Sequence, residues 1–147
     1  LAAFAQSSDT LTIIGVGDIM MGTNYPENKL PPNNGAFLMK DVEQVLKNAD
    51  VTFGNLEGTL LNEGGSPKTC RDPKVCYAFR TPVGYVTNLV NAGFDMMSLA
   101  NNHAGDMGEL GRKSSMKTLE EAGILHAGQL NQKTTVFEKD GVKYGLV

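Results

Sequence analysis

Short apolar runs alternate with segments of helical periodicity along most of the chain, which is the pattern of an α/β domain. The apolar runs are rich in β-branched residues and bounded by glycine, as expected for strands. Gly93 and Gly123 follow two of the periodic segments and predict their ends. The predicted strands are 11–17, 51–54, 96–100 and 124–127, and the predicted helices are 37–49, 81–93 and 107–122.

This alternation predicts right-handed βαβ units and a largely parallel sheet covered by helices. Two segments do not follow this alternation of strands and helices. Residues 57–80 form a long irregular insertion, and Asp140-Gly141 separates two short strands as in a two-residue hairpin.

Composition and charge argue against nucleic-acid binding and against a membrane-spanning segment within this sequence. The chain has 147 residues, of which 41% are hydrophobic and 20% charged, as in a globular domain with a real core. A formal net charge of −3 and no lysine/arginine cluster argue against nucleic acid as a partner. No apolar stretch is long enough to span a bilayer.

The first residues suggest export. Ala3-Phe4-Ala5 before Gln6 matches the end of a secretory signal peptide, so we interpret 1–10 as a signal-peptide remnant or a disordered N-terminus. Cys70 and Cys76 are the only cysteines. In an exported protein they would form a small loop-closing disulfide, and in a cytosolic one they would stay two thiols.

Polar side chains follow three successive predicted strands. Asp18 follows the first, Asn55 and Glu57 the second, and Asn101-Asn102-His103 the third. Ligands of open α/β sheets bind at the carboxyl ends of the strands, where these residues are expected to converge. Oxygen ligands with an imidazole suit Mg²⁺, Mn²⁺ or Zn²⁺.

Each of these residues also has a structural interpretation. Asn55 and Glu57 are equally compatible with a turn. Asp106 with Glu109 fits a capping box for the third helix, although it could orient His103 at the same time. Gly15-x-Gly17 is not a dinucleotide fingerprint, because its third glycine would fall at Met20 and a long loop follows.

Three stretches together resemble the CapA-type capsule synthesis proteins, the poly-gamma-glutamate biosynthesis family of the calcineurin-like metallophosphoesterases. They are Gly-Asp-Ile-Met-Met-Gly at 17–22, Ala-Asp-Val-Thr-Phe-Gly-Asn-Leu-Glu at 49–57 and Asn-Asn-His-x-x-Asp-x-Gly at 101–108. Tyr77-x-Phe79 fits as well. The resemblance implies a four-layer α/β/β/α fold with a largely parallel sheet. Members of the family are longer, so we expect 11–147 to be the N-terminal portion of such a domain.

The motifs and the resemblance give the following set of site residues. Those predicted for catalysis are His103, Glu57 and Asp106; those predicted to hold a divalent metal are Asp18, Asn55, Glu57 and Asn102; and those predicted to contact substrate are Asn101 and Asn102.

The chain departs from the wider superfamily at two positions, with Met20 where a histidine is usual and Asn55 where an aspartate often bridges metals. Two functions are therefore compatible with the sequence. One is hydrolysis of an amide or phosphoester bond in a capsule polymer or its precursor. The other is an extracytoplasmic subunit that binds an anionic polymer beside membrane-bound capsule synthesis machinery without turnover.

Overall fold

A computed structural model describes residues 10–139 and 141–147. The predicted signal-peptide remnant therefore lies outside the described residues, except for Thr10. In chain order the elements are β1 (Ile13–Ile19), α1 (Glu43–Leu46), β2 (Val51–Leu56), β3 (Thr59–Leu60), β4 (Arg80–Thr81), α2 (Val86–Ala92), β5 (Met96–Ser98), α3 (Gly108–Glu121), β6 (Leu125–Ala127), β7 (Thr135–Lys139) and β8 (Val142–Leu146).

The main sheet has four strands in the order β1-β2-β5-β6, and each neighbouring pair is parallel. This confirms the predicted α/β class and the largely parallel sheet. Crossovers that step one way across a sheet with the usual right hand bring their connecting segments to one face. The largest core cluster includes the fully buried Leu89, Met97 and Leu119, from α2, β5 and α3.

The first strand is less buried than its apolar residues suggest. Among the described residues it pairs only with β2, and Ile13 at its start is 57% exposed. It also runs to Ile19, while β2 runs to Leu56 and β5 stops at Ser98. Asp18 and Asn55 consequently lie within their strands and face each other as a register pair.

The helix predicted over 37–49 is largely wrong. Only α1 is helical there, and of its residues only Leu46 is buried. The apolar side chains that produced the helical spacing are exposed, so burial does not stabilise a longer helix. These exposed side chains are Phe37, Leu38, Val42 and Val45.

The helix predicted from Thr81 begins later, with a 3₁₀ turn over Val83–Tyr85 that leads into α2. The Thr81 hydroxyl donates to the carbonyl of Gly22 instead of capping the helix. Gly93 ends α2 in the left-handed region at φ 84°, as predicted.

The insertion after β2 is more ordered than predicted. β3 and β4 pair in parallel at its two ends, and the Cys70–Cys76 disulfide closes a loop between them with a Cα–Cα distance of 5.5 Å. The disulfide prediction is thus confirmed. β7 and β8 form the predicted antiparallel hairpin. None of the helices in the described part of the chain has the length and apolarity needed to cross a membrane.

Candidate active site

The carboxyl ends of β1, β2 and β5 bring the predicted site residues together. Asp18 pairs with Asn55 across the sheet, and Asn55 pairs in turn with Ser98, just before the loop that carries Asn101 and His103. Parallel strands align their carboxyl ends at one edge, so residues far apart in sequence meet there. The geometric expectation for Asp18, Asn55, Glu57 and His103 is therefore met, while their chemical roles stay predictions.

A chain of amide hydrogen bonds links the two central strands, and its direction is fixed by backbone groups. The backbone N–H of His103 donates to Asn101 Oδ1, at 3.0 Å. Asn101 Nδ2 donates to the carbonyl of Leu56, at 2.9 Å, and to Asn55 Oδ1, at 3.0 Å. A carbonyl only accepts and an N–H only donates, so neither end of the Asn101 amide can be exchanged.

This direction determines how Asn55 meets Asp18. With its oxygen facing Asn101, Asn55 turns its amide nitrogen to Asp18 Oδ1, at 2.7 Å. A metal ligand would present the oxygen instead. The predicted ligand Asn55 thus acts as a donor to Asp18. The predicted substrate residue Asn101 uses both polar atoms internally, and its contact with substrate stays a prediction.

Asp18 and Glu57 share a hydrogen bond, and their pKa values move in opposite directions. The hydrogen bond from Asn55, then the one from Glu57, lowers the pKa of Asp18. The hydrogen bond to Asp18, followed by burial, raises the pKa of Glu57. The contact between the two groups thus favours the charged form of Asp18 and the neutral form of Glu57.

His103 lies between two carboxyl groups. Its Nδ1 is 2.8 Å from Asp106 Oδ2, and its Nε2 is 3.4 Å from Glu57 Oε1. Phe79 stacks on the ring with a centroid separation of 4.5 Å. The imidazole is thereby fixed in orientation as well as in position.

Asp106 is completely buried and is not a helix cap. Its Oδ2 accepts from the backbone N–H of Phe79, at 2.6 Å, as well as facing His103. Its Oδ1 forms an ion pair with Lys68 Nζ, at 2.6 Å. The residue before α3 is Met107, which makes no side-chain capping bond, so the capping-box interpretation is wrong. Asp106 instead orients His103.

Two residues of this site, Lys68 and Phe79, were not predicted from the sequence. Lys68 comes from the irregular insertion, where nothing in the spacing distinguishes it from a surface lysine. Its Nζ also lies 3.2 Å from His103 Nδ1. Phe79 had a weak signal, since it belongs to the Tyr77-x-Phe79 pattern.

The remaining predicted ligand, Asn102, has an exposed side chain. Within residues 10–139 and 141–147, no group of three or more His, Cys, Asp or Glu side chains is placed to hold a metal ion. Because Asn55 turns its nitrogen rather than its oxygen to Asp18, its side chain in this orientation does not serve as a ligand in a two-metal centre.

The opposite pKa shifts of Asp18 and Glu57 predict a specific dependence of stability on pH. The contribution from Asp18, whose folded-state pKa is lowered, is lost as pH falls through that value. The contribution from Glu57, whose folded-state pKa is raised, is lost as pH rises through that value. The Glu57→Gln variant keeps a hydrogen-bond donor at every pH. Its free energy of unfolding should therefore increase relative to that of the wild type as pH rises from mildly acidic to neutral.

Urea unfolding across that pH range measures the difference. Glu109→Gln, at an exposed position paired with Lys113, is the matched control and should show no such trend. A difference between Glu57→Gln and wild type that stays constant with pH would show that folding does not raise the pKa of Glu57.

Comparison of the sequence with known proteins assigns the chain to a family. The family model for the bacterial capsule synthesis protein PGA_cap matches residues 12–147. A capsule biosynthesis protein CapA of Bacillus anthracis is 31% identical over 125 residues, covering 84% of this chain and 29% of the relative. The PGA biosynthesis protein CapA of Bacillus subtilis (strain 168) is 28% identical over 110 residues, covering 75% of this chain and 28% of the relative.

The uncharacterized protein y4sH of Sinorhizobium fredii (strain NBRC 101917 / NGR234) is 31% identical over 121 residues, which is 82% of this chain and 25% of that protein. The chain therefore spans between a quarter and three tenths of the length of these relatives. With the family model matched over nearly its whole length, the chain belongs to the PGA_cap family of bacterial capsule synthesis proteins, and to its CapA type.

Proposed function

We propose that this chain supplies the acid–base residues for hydrolysis of an amide or phosphoester bond in a cell-surface polymer or its precursor. The observation that carries the proposal is the placement of His103. The imidazole is held by a fully buried carboxylate on one side and faces the Glu57 carboxyl group, whose pKa is raised by its hydrogen bond to Asp18 and by burial, on the other.

The contacts of His103 define which nitrogen acts as the base. Asp106 Oδ2 lies 2.8 Å from Nδ1, a distance at which two unprotonated acceptors would repel. Nδ1 therefore carries a proton and donates it to Asp106. In the neutral imidazole, Nε2 then has a free lone pair directed toward Glu57 and the open edge of the sheet.

In the proposed reaction the oxygen of a water molecule attacks the carbonyl carbon or phosphorus, and Nε2 takes the proton that this water loses. The bond to the leaving nitrogen or oxygen breaks as that atom takes a proton from Glu57. The imidazolium then returns its proton to Glu57, 3.4 Å away, which restores both groups. The Asp18 carboxylate stabilises the positive charge on His103 while it is present.

A divalent ion, Mn²⁺, Mg²⁺ or Zn²⁺, stays a prediction, and no step above depends on one. Met20 stands where the superfamily uses a histidine, and the amide chain turns the nitrogen of Asn55 toward Asp18. Both features support at most one tightly bound ion per chain. If an ion binds at Asp18, Glu57 and Asn102, it would supply a Lewis acid or an activated water.

The insertion supports a second candidate, an exported subunit that binds an anionic polymer without turnover. Four basic residues lie within it or at its end, and Asp72 is the only acid between them. Arg71 and Lys74 are exposed and would attract a polyanion to the insertion, whose Lys68 and Phe79 contact His103. The names of the two Bacillus relatives and the disulfide favour a cell-envelope location, close to the membrane-bound capsule synthesis machinery. The four residues are Lys68, Arg71, Lys74 and Arg80.

The two candidates are separated by measuring turnover and binding on the same preparation. We expect the purified protein to cleave either a γ-glutamyl anilide or p-nitrophenyl phosphate, with the rate lowered in Glu57→Gln. Binding of poly-γ-glutamate without release of product from any of these substrates would support the second candidate and refute hydrolysis.

A further inference from the structure

A cavity with a mixed polar and apolar lining lies beside α3. It has a volume of about 540 Å³ and opens between the first turns of α3 and the loop that follows β6. Arg112 and Glu109 line it from the helix, and Gln129 and Lys133 line it from the loop. None of these residues takes part in the acid–base chemistry proposed above.

The guanidinium of Arg112 is oriented by a buried glutamine. Its Nη1 donates to Gln129 Oε1, at 2.8 Å. Gln129 is itself buried, and its amide nitrogen donates to the carbonyl of Leu99, at 2.5 Å. Because Leu99 directly follows β5, the arginine is anchored to the same strand end that positions His103.

Gly105 makes room for this guanidinium. A Cβ added at Gly105 would collide with Nη2 of Arg112, so the residue two places after His103 has to be glycine for the arginine to lie where it does. The cationic group thus packs directly against the loop of the candidate active site.

The charge of Arg112 is not compensated within the described part of the chain. No carboxylate there forms an ion pair with it, and Gln129 accepts from only one of its five N–H groups. Glu109, the acid in the same cavity, lies 3.5 Å from Lys113 Nζ. Lys133 adds a second positive charge to the lining.

We propose that this cavity is an oxyanion-binding site, in which the guanidinium of Arg112 holds a carboxylate or phosphate group. A planar guanidinium with unused donors suits either group, since both present two oxygens to its fork. The role we assign to the bound group, orienting a substrate beside His103, rests on the proposed hydrolysis. The binding itself does not.

The test follows the backbone N–H signal of Gln129, which lines the cavity beside Arg112 and is present in every variant, in ¹⁵N-labelled protein. Inorganic phosphate and acetate are titrated separately at constant ionic strength, with chloride as the reference anion. We expect a saturable change in chemical shift with at least one of the two anions. The affinity derived from it should be about tenfold or more lower in Arg112→Met. Saturation by phosphate alone indicates a phosphoryl ligand, and saturation by acetate alone indicates a carboxylate.

Lys117→Met is the matched control, because it removes one positive charge from the exposed face of the same helix. Its affinity should equal that of the wild type. Should Arg112→Met not fold, Gly105→Ala displaces the guanidinium and should weaken binding as well. The proposal is overturned if neither anion moves the signal more than chloride does, or if Lys117→Met weakens binding as much as Arg112→Met.

His103→Ala separates this inference from the proposed hydrolysis. It should lower turnover by about 10²–10⁴-fold and leave the titration unchanged. An inactive wild type that still binds phosphate or acetate through Arg112 would refute the reaction alone. An active enzyme with no saturable anion binding would refute the Arg112 site alone.

Discussion

Replacement of Asp106 by leucine should lower the free energy of unfolding by about 3 kcal/mol, the lower end of what removing one partner of a buried ion pair costs. The leucine leaves three donors without their acceptor: the Lys68 ammonium, Nδ1 of His103 and the backbone N–H of Phe79. The lower end applies because the Lys68 side chain is 24% exposed and can recover part of its hydration.

Urea unfolding of four variants measures this effect and assigns its cause. Lys68→Met removes the cation alone, and the double variant Lys68→Met/Asp106→Leu removes both charges. We expect the double variant to be more stable than Asp106→Leu, because it leaves no uncompensated ammonium. Asp41→Leu, at an exposed position, is the control for the substitution itself. A loss below about 1 kcal/mol in Asp106→Leu would mean that Asp106 does not anchor the site.

The fold was predictable where the apolar pattern coincides with burial. β2 and α3 were identified within two residues, because their apolar positions face the core and glycine marks the helix end. The helix prediction over 37–49 was largely wrong for the opposite reason. It has helical spacing, but most of its apolar side chains are exposed, and periodicity alone does not reveal whether a face finds a partner.

The candidate site was predictable to the level of the strand ends. Parallel strands bring their carboxyl ends together, so Asp18, Asn55 and His103 could be expected at one edge from the sequence. The direction of the amide chain could not, because it depends on which way the backbone groups of Leu56 and His103 point. Lys68 was also beyond reach, since it enters the site from an insertion without periodicity.

The sharpest consequence of the proposed function concerns His103. Replacement of a general base typically lowers turnover by 10²–10⁴-fold, and we expect a fall of about this size in kcat for His103→Ala, with little change in KM. The reason is that Nε2 would accept a proton only as the water attacks, so the imidazole contributes to the transition state more than to substrate binding. The measurement is steady-state hydrolysis of whichever substrate the wild type cleaves.

Two further measurements distinguish a catalytic base from a structural histidine. The alanine variant leaves a space against the Phe79 ring and the Asp106 carboxylate, so added imidazole should occupy it and restore part of the rate. His126→Gln is the matched control. His126 is buried and faces Glu120, so its replacement changes the amount of folded protein but not the turnover per folded molecule. If His103→Ala keeps the wild-type kcat, the base lies elsewhere. If it loses activity that imidazole never restores while its unfolding free energy falls as far as in Asp106→Leu, His103 serves the architecture of the site rather than proton transfer.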